Sequence, residues 1–409
     1  MFFSGLVLFF TTATVYSLDN GLYRTPPMGW MSWTTFFCNV DCENFPNNCI
    51  NEKLYREMAD RLVGDGYLAA GYNRVHIDDC WMENARDEKG RLVADRKRFP
   101  NGIKNLSNYM HERNLELGIY SDVGTKTCAG YPGSMNYLKI DANTFAEWEV
   151  DYLKMDGCFA NTSFMPIGYP KMQRSLNATG RRIGYGCGWP LFFYTAGLKD
   201  KIDYNAVKAT CNTWRLFYDI EGSWKSISSI IRYMDENQDV LAATQTPGAW
   251  NDPDMLVIGL PGVTVDQAKV QMTLWSIWSS PLIMSNDLRI LKSEFKEILM
   301  NKDVIAVDQD PLGIMGKLVR QSGWINVYVK PVIPVLNDTT SFVIAVVNLN
   351  ESEYEEVQFS IESLGLKNEA GYEMRDLWRR ENIGHVNSSY IHHVKLQPTS
   401  ATLHKFTII

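Results

Sequence analysis

From Val150 the chain runs through Tyr152, Leu153, Lys154, Met155, Asp156 and Gly157 to Cys158. An apolar run that ends in a lysine, a carboxylate, a glycine and a cysteine is how a buried strand hands reactive groups to the loop after it. Lys154 and Asp156 are two residues apart and so share one face of a strand, where the ammonium should lower the carboxylate's pKa. An ionised Asp156 suits a nucleophile. The same heptapeptide also fits a structural ion pair at a strand end. Cleaving a glycosidic bond needs a second carboxyl, one kept protonated to release the leaving oxygen. Asp219, within Trp214-Arg215-Leu216-Phe217-Tyr218-Asp219, lies among aromatic residues whose desolvation should raise its pKa. A solvated loop aspartate is the plainer reading of that segment.

Asp78 and Asp79 adjoin, as hard-cation ligands do. They could equally accept hydrogen bonds from neighbouring sugar hydroxyls, with Trp30 and Trp33 as an apolar wall; each tryptophan alone would suit ordinary core. Four of the six histidines, His385, His392, His393 and His404, fall late in the chain, leaving His76 and His111 earlier. That leaves no histidine-rich shell for zinc or manganese.

These groups need a scaffold. Leu54, Met58 and Leu62 recur every four residues between a capping Asn51 and Gly64, which predicts a surface helix. Apolar runs at Tyr72–Ile77, Leu115–Tyr120, Val150–Met155, Ile183–Cys187, Val207–Thr210, Trp250–Asp254 and Pro281–Met284 alternate with helical stretches near 103–113, 142–149, 169–177, 223–234 and 266–278. Alternation implies parallel pairing, and about eight repeats in roughly 300 residues imply a closed (β/α)₈ TIM barrel. Asp78, Asp79, Asp122, Asp156, Asp252, Asp254 and Asp287 all fall at or just after strand ends, on the face where such barrels carry their sites. Beyond Pro311-Leu312-Gly313 the runs at 324–329, 342–348, 357–361 and 372–378 are short, β-branched and aromatic, as in an antiparallel β-sandwich. The expected division is therefore barrel 18–315 and β domain 316–409, packed directly together.

A formal net charge of −7 offers no basic surface, so nucleic acid is not an expected partner. Residues 1–17 read as a signal peptide that lacks the usual Lys or Arg near its start and is cleaved after Ser17, and nothing later is apolar enough to span a membrane. The eight cysteines behind it favour disulfides over metal ligation. Sequons at Asn105, Asn161, Asn177, Asn337, Asn350 and Asn387 favour the secretory route.

Met28-Gly29-Trp30-Met31-Ser32-Trp33, Ile77-Asp78-Asp79-Cys80-Trp81, Leu117-Gly118-Ile119-Tyr120-Ser121-Asp122, Lys154-Met155-Asp156-Gly157-Cys158 and Trp250-Asn251-Asp252-Pro253-Asp254-Met255 resemble, in order, the signature blocks of the eukaryotic α-galactosidase and α-N-acetylgalactosaminidase family. The likeness runs from about Leu18 through Gly316. It implies the barrel with its C-terminal β domain, a retaining mechanism, no metal or other cofactor and, in the animal members, lysosomal residence as a homodimer. It also implies Asp156 as nucleophile and Asp219 as acid/base. Pocket positions would fall on Trp33, Asp78, Asp79, Tyr120, Cys128, Lys154, Cys158, Arg215 and Asp254, and disulfides on Cys38–Cys80, Cys42–Cys49, Cys128–Cys158 and Cys187–Cys211.

Two positions that would read the sugar's 2-substituent depart from the family's pattern. Where the galactosidases resemble one another in a Glu after Cys187 and the aminidases in a Ser, this chain has Gly188; Leu191 matches the galactosidases, whose aminidase counterparts carry Ala. The mixture predicts action on both terminal α-galactose and α-N-acetylgalactosamine. On that reading Gly188→Glu should favour the galactoside and Leu191→Ala the aminide. The competing readings are strict specificity for one sugar, a catalytically inactive glycan-binding barrel, and a divalent-metal enzyme using the aspartates.

Overall fold

The computed structural model describes residue 18 and residues 20–409, so the expected leader at 1–17 lies outside the described residues. Eight short parallel strands are β1 (Met28–Met31), β2 (Arg74–His76), β3 (Glu116–Asp122), β4 (Tyr152–Asp156), β5 (Gly184–Cys187), β6 (Thr213–Arg215), β7 (Trp250–Asp252) and β8 (Leu282–Met284). They are ordered β7-β6-β5-β4-β3-β2-β1-β8. The ring closes just past β7, where the Leu256 N–H donates to the Ile283 carbonyl at 2.7 Å and the Ser285 N–H to the Leu256 carbonyl at 3.0 Å. The break between is the Asp252-Pro253-Asp254 turn, with Asp254 at φ +83°. This strained bend turns two carboxylates toward the barrel mouth instead of continuing the ladder.

Local sequence explains the outer layer. Asn51 caps the helix Glu52–Gly64 by accepting from the Leu54 N–H, and Leu54, Met58 and Leu62 are buried on one face. Thr264 and Gln267 close a capping box on the helix Val265–Ile277. The run Val207–Thr210, expected as a strand, instead ends the helix Tyr204–Thr210; the sixth strand is the three-residue β6 after it. Inside the barrel, large side chains sit opposite glycines. A Cβ at Gly118 would strike the His76 imidazole, and one at Gly186 the Tyr152 hydroxyl.

The C-terminal unit is antiparallel: β9 (Lys317–Ser322), β10 (Ile325–Leu336), β11 (Thr339–Asn348), β12 (Glu355–Ser360), β13 (Tyr372–Asp376), β14 (Glu381–Val386), β15 (Ile391–Leu396) and β16 (Ala401–Ile408). A six-stranded sheet, β14-β13-β16-β11-β10-β9, faces the pair β12-β15 across a core of Val327, Ile344, Val346, Phe359, Tyr372, Val394 and Phe406. It packs directly on the barrel. Lys330, buried on β10, donates to the carbonyls of Ser276 at 2.8 Å and Val307 at 2.5 Å and to the Ser279 hydroxyl at 2.6 Å. The Tyr328 hydroxyl reaches Asp235 at 2.8 Å.

Candidate active site

Parallel register brings the strand-end polar groups together. Tyr120 and Asp122 of β3 stand opposite Lys154 and Asp156 of β4. The Tyr120 hydroxyl donates to Asp156 Oδ2 at 2.9 Å. Lys154 gives its ammonium to Asp78 Oδ2 at 2.7 Å. On the far side, Arg215 Nη2 holds Asp219 Oδ1 at 2.8 Å and Asp254 Oδ2 at 2.9 Å. The Ile220 N–H fixes Asp254 further at 2.8 Å. The cleft between them has Lys154, Asp156, Gly188, Arg215, Asp252 and Asp254 among its lining residues.

The loop after β4 is anchored. Disulfide Cys128–Cys158 ties it to the loop after β3, and Cys128 Sγ lies 3.6 Å from Asp156 Oδ2. Behind it Asp122 accepts the N–H groups of Gly124 at 2.6 Å and Cys158 at 2.8 Å. Cys38–Cys80, Cys42–Cys49 and Cys187–Cys211 complete the pairings that the resemblance implied, with no cysteine left free.

The electrostatics reverse the two expected pKa directions. Asp156 was expected low, but burial pushes its carboxyl up; Lys154 opposes this while Asp219 and Asp78 add to it. The physical reason is burial, which the Lys154 ammonium, itself bonded to Asp78, does not offset. Asp219 was expected high. Burial does act that way, but the Arg215 ion pair and the Lys154 charge outweigh it and hold the carboxyl below its ordinary range. Desolvation is the largest single influence, yet with the side chain still 59% exposed it is smaller than the two cations together. The Asp219 charge is thus one of the influences that raise Asp156.

Other carboxyls nearby are protonated easily. Burial, with the Asp156 charge second, pushes Asp122 up to about 9. Burial takes Asp79 up to about 6 against the N–H groups of Ala129 and Cys80. Asp254 reaches about 6, burial and Asp219 outweighing Arg215.

A cation has no evident seat here. The ammonium of Lys154 already occupies Asp78, and both Asp79 oxygens accept backbone N–H groups. Asp122, Cys128 and Cys158 cluster within 4.8 Å, but the two sulfurs form a disulfide and offer no thiolate.

Some expected positions stand apart. Trp30 is core, its indole N–H donating to the Asn286 carbonyl at 2.7 Å, so only Trp33, at the mouth with its ring 5.9 Å from Phe37, is placed for a wall. Leu191 is buried on the helix Trp189–Thr195 and is not among the residues lining the cavity, whereas Gly188 is. Asp287 pairs with Arg289 at 2.7 Å, away from the other strand-end carboxylates. Asp122 and Asp252, read from the sequence only as strand-end aspartates without a role, also stand at the site, Asp122 in register opposite Asp156; Phe192, whose ring lies beside Gly188, was not singled out.

A (β/α)₈ barrel that presents the Asp156 and Asp219 carboxyls at its C-terminal mouth, backed by a β-sandwich, has the two groups that glycoside hydrolysis needs. The comparisons agree: the family described as alpha galactosidase A matches residues 25–310, and its C-terminal beta sandwich domain matches residues 324–406. The chain belongs to this family of glycoside hydrolases. Human alpha-galactosidase A is 51% identical over 316 residues, covering 77% of this chain and 73% of that protein. Alpha-N-acetylgalactosaminidase of Gallus gallus is 43% identical over 388 residues, 94% of each. The crystal structure of alpha-galactosidase I from Mortierella vinacea superposes with a TM-score of 0.83 at 30% identity, over 95% of this chain and 98% of that one.

Proposed function

We propose that the protein is a retaining exo-α-glycosidase that removes terminal α-linked galactose and N-acetylgalactosamine from glycolipids, glycoproteins and oligosaccharides. The observation that carries this is a half-buried Asp156, held by the Tyr120 hydroxyl and feeling the charge of the more exposed Asp219 that Arg215 holds at the same barrel mouth. Asp156 attacks the anomeric carbon while Asp219 gives its proton to the departing oxygen. Ionised Asp156 favours the protonated form of Asp219. Once Asp156 becomes a neutral ester that field is gone, Arg215 and Lys154 lower the Asp219 pKa again, and the residue becomes the base that activates water. Two inversions return the original anomer. Asp78, Asp79, Lys154, Arg215 and Asp254 would meet sugar hydroxyls with Trp33 beside them, while Cys128 and Cys158 lock the nucleophile's loop.

Secretory and lysosomal residence is part of the same proposal, with residues 18–315 as the catalytic unit and 316–409 as its buttress. Asn105, Asn161, Asn177, Asn337 and Asn387 are exposed and open to glycosylation; Asn350 is half-buried, its amide bonded to Glu355 at 3.1 Å. No helix of the described residues is long and apolar enough to cross a membrane. The homodimer expected from the resemblance would use the exposed Phe37, Phe45 and Ile290 beside the mouth.

A Cβ at residue 188 would lie 2.9 Å from Asp156 Oδ1 and 3.0 Å from the Phe192 ring, both at the ends of side chains that can shift aside. Gly188 has an ordinary φ of −78°, so a larger residue needs no backbone change. Gly188→Glu is therefore expected to suppress the N-acetylgalactosaminide while sparing or improving the galactoside. Paired chromogenic α-galactoside and α-N-acetylgalactosaminide substrates test the proposal. Turnover of both by the native chain, within about a hundredfold of each other, is expected. Leu191→Ala raising the aminide-to-galactoside ratio would show that Leu191 acts from behind the cavity wall; turnover of neither sugar contradicts the reading.

A further inference from the structure

Surface aromatics in this barrel are not scattered. Among the described residues before β9, the exposed ones are Phe37, Phe45, Tyr137, Phe159 and Tyr218. Each lies on a segment that joins a strand's C-terminal end to the main helix after it. The opposite face of the barrel carries none of them, and isolated exposed apolar residues would fall on both faces. Chemistry singles out one member of this rim. A general acid must come within hydrogen-bond reach of the oxygen it protonates, so whatever is attached beyond that oxygen passes over the loop carrying the acid. The residue immediately before Asp219 is Tyr218, 55% exposed. Its ring is braced edge-on by Tyr194, 5.5 Å away at 76°, and by Phe217, 5.0 Å away at 68°. Those two rings pack in turn on Tyr233, at 5.2 Å and 4.7 Å. An aromatic held by its neighbours' edges and open to solvent loses little entropy when a flat group settles on it.

We propose that Tyr218 is the platform of a leaving-group subsite, and that this subsite takes a pyranose ring: the sugar to which the terminal residue is α-linked rests its C–H face on the phenol ring. The inference rests on the reading of Asp219 as the acid. A sugar fits better than a lipid chain because the open ring stands beside the polar, exposed Asp219 and not within an apolar groove.

The test compares an α-linked disaccharide with the α-glycosyl fluoride of the same terminal sugar, which has no ring beyond the scissile bond. Tyr218→Ala should lower kcat/KM for the disaccharide about tenfold more than for the fluoride, as expected for loss of one aromatic contact. Tyr218→Phe, which keeps the ring, should restore the native ratio. Turnover of the fluoride by the native chain supports the underlying glycosidase reading independently. Equal losses on both substrates, or no loss on either, overturn the platform; equal losses accompanied by a change in oligomeric state would assign Tyr218 to self-association instead.

Discussion

Asp156→Asn should lower kcat on any glycoside by about 100,000-fold, the scale seen when a covalent nucleophile is removed. The fold should survive, because burial already pushes the Asp156 carboxyl up and an amide carries no charge to desolvate. Asp219→Asn should behave differently. Loss of the acid lowers turnover of poor leaving groups by about 100- to 10,000-fold but spares formation of the intermediate from a glycosyl fluoride, which needs little protonation. The pH dependence follows from the same two groups. Activity requires ionised Asp156, whose pKa is raised, and protonated Asp219, whose pKa is lowered by Arg215. The productive proton placement is thus a minor form of the singly protonated pair, and kcat/KM should trace a bell centred on the acid side. Equal effects of both substitutions on the fluoride would contradict these roles.

The folded chain should be more stable near pH 5.5 than near pH 7.5. Burial, the largest influence in each case, pushes Asp79 and Asp254 up to about 6, Asp235 up to about 7 and Asp122 up to about 9. Each carboxyl is raised above its unfolded value, so the native state keeps protons that the unfolded chain has released. That stability is present at acid pH and is lost as pH rises through the folded values. His76 and His392 act the other way: buried and driven down to about 3, they drain stability as pH falls below about 6.5. Over these two pH units the four carboxyls outweigh the two imidazoles by about 3 kcal/mol. For a chain of this size that corresponds to a rise in Tm of roughly 4 °C on acidification. Calorimetry at the two pH values reads it directly, and a Tm that falls on acidification would show that the histidines dominate. The direction suits the proposed acid compartment.

How much of this was legible depends on the length scale of the signal. The helix after Asn51 could be read because its cap and its four-residue spacing agree. The sixth strand could not, since three residues carry no period and the apolar run before it belongs to a helix face. In the C-terminal unit four strands were not read: β9 and β14 have largely exposed side chains without the alternation of a half-buried strand, whereas β15 and β16 do alternate and their signal was passed over. At the site, strand ends announced the carboxylates, and residue types announced Asp156 and Asp219. Their pKa directions were misread for one reason. Sequence neighbours suggested that Lys154 serves Asp156 and that aromatics govern Asp219, whereas the bonded partners are Asp78, distant in sequence from Lys154, and Arg215, four residues before Asp219 at the end of β6. The surroundings of Gly188 likewise depend on a Phe192 ring and an Asp156 oxygen that only the fold brings together.

The central claim is that a covalent bond forms at Asp156. Incubation with a 2-deoxy-2-fluoro glycosyl fluoride of the appropriate sugar, followed by peptic digestion and mass spectrometry, tests it most directly. The added mass of one fluorinated sugar should fall on the peptide containing Lys154-Met155-Asp156-Gly157, and on Asp156 within it, when the reagent inactivates the enzyme. Label on another carboxylate, or inactivation without any covalent label, would contradict the account.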